Sequence, residues 1–94
     1  MPTVLCFGDS NTHGSMALRS WGDHRRHGPE VRWPGVMRAA LGTGVTVIEE
    51  GHGGRTTTHD DPIEGEHKNG ARMLLPLLET HRTVDLLIIM LGTN

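Results

Sequence analysis

With 94 residues, 35% of them hydrophobic, the chain is of single-domain size and has room for one modest core. Its formal net charge is -2 and its nine Lys and Arg form no run, which excludes the basic footprint of a nucleic-acid or anionic-membrane binder. Thirteen glycines point to heavy use of tight turns, and the one cysteine, Cys6, has no internal partner for a disulfide. Met1-Pro2-Thr3-Val4 has neither a charged start nor a long apolar stretch behind it, and no apolar run approaches the ~18 residues that span a bilayer. A soluble, cytoplasmic protein without a cofactor is the expectation.

Thr3 to Phe7 is a short apolar, β-branched run stopped by Gly8, as in a strand buried on both faces. Residues 11 to 32 are polar, punctuated by Gly14, Gly22, Gly28 and Pro29, and read as a long loop or a broken helical excursion. From Trp33 to Gly42 the pattern is helical: Pro34 lies near the start and Gly42 past the end, while Trp33, Val36, Met37, Ala40 and Leu41 share a face. Val45 to Glu49 is the second strand, and Glu50 to Pro62 a Gly- and Thr-rich loop. A second helix is predicted within Gly70 to His81 on the spacing of Met73, Leu74, Leu77 and Leu78, with Pro76 marking a kink or restart. Val84 to Leu91 is apolar enough to be a strand covered on both faces.

Three strands alternating with helices imply a parallel sheet, and such sheets bind ligands at the carboxyl ends of their strands. Those ends carry Gly8-Asp9-Ser10, Gly51-His52-Gly53-Gly54 and Gly92-Thr93-Asn94. A serine on a tight turn after a strand exposes its hydroxyl as a nucleophile; as a bare helix cap it would do no chemistry. Gly54 offers an unobstructed N–H and Asn94 a neutral amide, the donor types that an oxyanion needs. Each alone is also an ordinary turn or cap residue.

Taken together, these three blocks resemble those of the SGNH (GDSL-like) hydrolase family. Cys6-Phe7-Gly8-Asp9-Ser10-Asn11-Thr12-His13-Gly14, Val31-Arg32-Trp33, Val47-Ile48-Glu49-Glu50-Gly51, Arg55-Thr56-Thr57 and Ile88 to Asn94 look like its bacterial arylesterase and acyltransferase branch. The resemblance implies a three-layer α/β/α flavodoxin-like fold, of which this chain supplies the N-terminal three strands. It implies Ser10 as nucleophile, with the Ser10 and Gly54 N–H groups and the Asn94 side chain as oxyanion hole. Asp9, Thr12, His13, His52 and Gly53 are the neighbouring candidates for substrate contact. The implied substrates are small alkyl or aryl esters, with acyl transfer to alcohol or peroxide as well as to water. The family's base and orienting acid lie in an Asp-x-x-His segment that is absent from these residues. Ser10 needs such a base, so a second segment of the same gene product is expected to complete both site and fold. Homo-oligomerisation stays open.

Two rival functions have sequence features behind them. A strand, a Gly turn and a second strand ending in Glu49-Glu50 outline a nucleotide site, but Gly8 to Gly14 lacks Gly-x-Gly-x-x-Gly. A non-catalytic interaction subunit would bury the sheet against a partner. The groups His24 to His27 and His59-Asp60-Asp61 carry metal-ligating residue types without an established zinc spacing, so no metal is expected.

Overall fold

The computed structural model describes residues 1–17, 19–20, 22 and 24–94. Strand β1, Thr3–Gly8, is the central one, and its apolar run lies inside on both faces, Leu5 and Cys6 having no exposed surface. Parallel to it run β2, Thr46–Gly51, in register from Thr3↔Thr46 to Gly8↔Gly51, and β3, Leu86–Met90, from Val4↔Leu86 to Gly8↔Met90. The order is β2-β1-β3, so all three carboxyl ends meet along one edge of the sheet with β1 in the middle. Burying side chains such as Leu5 and Phe7 contributes roughly 1.5–3 kcal/mol each.

The helices are α1, Ser10–His13, α2, Trp33–Leu41, and α3, Gly70–Thr80. As its sequence predicts, α2 carries Pro34 in its first turn and stops at Gly42, whose N–H donates to the Arg38 carbonyl. Trp33 and Met37 pack against the cluster of Val4, Cys6 and Val47, but Val36 and Leu41 of the expected apolar face are half exposed. Pro34 and Gly35 are the residues the helix buries fully, and Gly35 lies so near the Pro29 carbonyl that a Cβ there would come within 1.8 Å of its oxygen. Asn69 caps α3, its Oδ1 accepting from the Ala71 N–H at 3.1 Å, and the helix continues through Pro76. No helix among the described residues is long and apolar enough to cross a membrane.

Strand β3 departs from expectation. It forms where its apolar run predicts, but as an edge strand, with Leu86 and Ile89 each 53% exposed and Met90 48%. Continuity of apolar residues predicts cover on both faces; here the described residues leave part of that surface open.

Glu49 of β2 is held by three arginines from two different segments. Arg32 Nε donates to Oε1 at 2.5 Å, Arg38 Nη1 lies 2.9 Å from Oε2, and Arg26 Nη2 lies 3.6 Å from Oε1. Burial pushes the Glu49 pKa up, yet the hydrogen bonds from Arg32 and Arg38 outweigh it and hold the carboxyl below its usual value. A depressed carboxylate pKa stabilises the fold above the unfolded value, and that stabilisation is lost as pH falls through the folded one. Glu49→Gln should therefore cost about 3 kcal/mol at neutral pH, chiefly by leaving Arg32 unpaired. In urea titrations the difference from wild type should shrink as pH drops below the ordinary glutamate value of about 4.3. A difference independent of pH would show that the carboxylate charge is not what holds the arginines.

Candidate active site

Gly8 ends β1 with Thr12 directly above it: a Cβ there would come within 2.1 Å of Thr12 Oγ1 and 2.8 Å of the Met90 carbonyl oxygen. Gly51 of β2 is as close to the backbone N of His13, at 2.3 Å from a would-be Cβ. These two glycines let α1 settle on the carboxyl ends of the strands. Asp9 caps that helix, its Oδ1 accepting from the Asn11 N–H at 3.0 Å and its carbonyl accepting from Thr12 and His13. Gly14, at φ +83°, closes the turn by donating to the Ser10 carbonyl. Ser10 is thereby the first helical residue, half-buried, and an N–H in a helix's first turn has no intrahelical partner.

The strand end after β2 bends back over this turn. The His52 N–H donates to the Gly8 carbonyl at 3.2 Å, and the Arg55 N–H donates to the His52 carbonyl, with Gly54 at φ +77° between them. A left-handed conformation of this kind favours glycine, so Gly54 serves the turn and leaves its N–H unobstructed. Arg55 is buried and locks the two strand ends together: its Nη1 donates to the carbonyls of Gly8 at 3.1 Å and Glu50 at 2.6 Å. Its guanidinium carbon stands 4.2 Å from the centroid of the Phe7 ring. Asn94 reaches in from beyond β3, donating from Nδ2 to the Arg55 carbonyl at 3.0 Å, with Asp9 Oδ2 at 3.4 Å.

Beside this junction lies a cleft of about 760 Å³ walled in part by Ser10, His13, His52, Gly53, Gly54 and Lys68. The structure thus gathers Ser10, Gly54 and three of the five proposed substrate contacts around one space, with Asn94 anchored next to it. Asp9 and Thr12, expected among the substrate contacts, are instead sealed in at 1% and 0% exposure. Asp9 is occupied as a cap, and Thr12 Oγ1 accepts from Trp33 Nε1 at 3.2 Å.

Three histidines line the cleft, His13, His24 and His52, and none of them is placed to activate Ser10. Among the described residues no imidazole hydrogen-bonds to its hydroxyl. Burial lowers the His13 pKa, and Arg26 adds to the effect; burial lowers that of His52, with Lys68 and Arg55 adding to it. A general base must become cationic as it takes the proton, and both rings sit where a cation is disfavoured. Glu49, the acid of the outlined nucleotide site, is committed to its arginines. Asp60 is likewise engaged, accepting from Asn69 Nδ2 and Arg72 Nε.

The whole chain superposes on known esterases. It is similar to the native aryl esterase of M. smegmatis, with 47% identity, a TM-score of 0.93 and cover of 100% of this chain and 43% of that one. It is equally similar to Est24, a carbohydrate acetylesterase from Sinorhizobium meliloti, at 46% identity and a TM-score of 0.93, over 100% and 43% of the two chains. A carbohydrate acetylesterase family member from the same organism matches at 47% identity and 0.87, over 100% and 42%. The chain belongs to the SGNH arylesterase family. No family model and no curated protein matches it. Its α/β architecture and parallel sheet are those of the matched esterases, and it spans about 43% of the length of the first of them.

Two residues of this site carry no signal in the sequence around them. Arg55 stands in a recognisable Arg-Thr-Thr string, but nothing in its neighbours announces that it is buried under two strand ends. Lys68 sits in a stretch with Glu64, Glu66 and His67 that reads as solvated charge, yet it is 8% exposed and faces the cleft. The signal that finds them is burial of a cation, which only the fold reveals.

Proposed function

We propose that this chain carries the nucleophile and the oxyanion donors of a serine esterase acting on small alkyl or aryl esters. Ser10 Oγ gives its proton to a general base and bonds to the ester carbonyl carbon. The resulting oxyanion is held by the N–H groups of Ser10 and Gly54 and by the Asn94 amide. Expulsion of the alcohol, which takes the proton back, leaves an acyl group on Ser10. Water then releases it as an acid, or an alcohol or peroxide carries it off as a new ester or peracid. His13, His52 and Gly53 line the space where the substrate's two arms would lie.

The observation that carries this reading is the meeting of three strand ends: Ser10 and Gly54 share the cleft, and Asn94 is bonded to the carbonyl of Arg55, the residue next to Gly54. The general base and its orienting acid are assigned to a further segment of the same gene product. The poor placement of His13 and His52 supports that assignment, as does the open apolar surface of β3, which such a segment would cover. Treatment of the whole gene product with an organophosphate, followed by peptide mass analysis, tests the nucleophile. Modification at Ser10 with parallel loss of chromogenic acetate hydrolysis is the expected result; hydrolysis that persists without modification of Ser10 refutes it.

A further inference from the structure

Lys68 is a buried cation on the wall of the cleft, and the role of the esterase site leaves it unexplained. Its backbone is pinned first: the Thr56 N–H donates to the Lys68 carbonyl at 2.8 Å, and the Gly70 N–H donates back to the Thr56 carbonyl at 2.9 Å. This short parallel bridge, Thr56↔Asn69, lays the segment around Lys68 alongside the loop that follows β2. The Lys68 ammonium then donates to the Gly53 carbonyl at 2.6 Å, approaches His52 Nε2 at 3.1 Å and pairs with Glu64 Oε2 at 3.1 Å.

The Gly53 carbonyl and the Gly54 N–H belong to one peptide group. A trans peptide is planar, with the two groups pointing in opposite directions, so whatever grips the carbonyl aims the N–H. A charge-assisted hydrogen bond to the oxygen also polarises the amide and makes its N–H a stronger donor. Glycines on both sides of the peptide give this plane little resistance to rotation, and among the described residues the Gly54 N–H donates to no backbone carbonyl. Its direction therefore depends on what holds the other end.

The geometry points to Lys68 as a positioning residue of the oxyanion hole, which orients and polarises the Gly53–Gly54 peptide through the Gly53 carbonyl. The ammonium has only donors, so His52 Nε2 must present its lone pair, and the ring is neutral with its proton on Nδ1. The low pKa of His52, from burial and then from the charge of Lys68, agrees with that state. Glu64, on the exposed side, offsets part of the charge and leaves the orienting bond in place.

This inference rests on the esterase reading, and the test separates the two. In the whole gene product, Lys68→Met should lower kcat for a small aryl acetate roughly tenfold, less than the 10²–10³ typical of losing a donor outright. KM should stay nearly constant, because the peptide contributes most once charge develops. Lys68→Arg, which can still donate to the Gly53 carbonyl, should recover most of the rate, and a boronic acid that mimics the tetrahedral adduct should lose affinity in Lys68→Met in proportion to kcat. If Lys68→Met does not fold, Lys68→Gln takes its place with an intermediate loss expected. An unchanged kcat, or a rise in KM alone, overturns the role of Lys68 while wild-type turnover keeps the esterase reading intact. Absence of Ser10-dependent turnover in the wild type overturns both.

Discussion

Ser10→Ala is expected to remove ester turnover almost completely, by a factor on the order of 10⁶ in kcat, as for other serine nucleophiles. The residue is half-buried at the start of α1, and its contribution to folding is small beside that of its neighbours Asp9 and Thr12. Thermal unfolding of the variant should thus match wild type, which separates loss of the nucleophile from loss of the turn. A variant that keeps more than about a tenth of the activity would move the nucleophile elsewhere.

Asn94→Ala should cost about 10²–10³ in kcat, with KM little changed, if its amide donates to the oxyanion. Nδ2 has two protein oxygens within reach in the structure, but the two contacts differ. The bond to the Arg55 carbonyl, at 3.0 Å, is ordinary, whereas 3.4 Å to Asp9 is long for an N–H donor, so the second hydrogen is the one that a substrate can claim. Asn94→Asp should be at least as damaging, since it sets a negative charge where one develops. A loss below about threefold in Asn94→Ala would leave the side chain a strut between Arg55 and Asp9.

Much of this site could be read from the residues in order. Apolar runs that stop at glycine place the strands, and a parallel sheet brings their carboxyl ends together, so the order of elements alone predicts that Ser10, Gly54 and Asn94 converge. What lies between segments was not legible. Glu49 gathers Arg26, Arg32 and Arg38, and no local pattern pairs one carboxylate with cations up to 23 positions away. Four residues are too few for helical periodicity, which is why α1 was hidden within a polar stretch. The exposure of β3 is invisible for another reason: hydropathy reports what a side chain prefers, not whether anything covers it.

Thr12 and Asp9 show how proximity in sequence misleads about contact. Both lie within two positions of Ser10, yet three residues apart in a helical turn they share its inward face, and there they secure the turn. Their burial makes Ser10 rigid at its backbone. Rigidity there matters because a misplacement of about 1 Å at a reacting atom can cost 10²-fold in rate.

Cys6, in the middle of the central strand, has no exposed surface, and burial followed by the nearby Glu49 pushes its thiol up to about 11. An alkylating reagent reaches such a sulfur only when the strand leaves the sheet, and even then acts on the small fraction ionised. This single thiol is a built-in clock: its rate of modification in the native protein counts excursions to the open state, without a label or a denaturant, while reagents aimed at the active site find it closed.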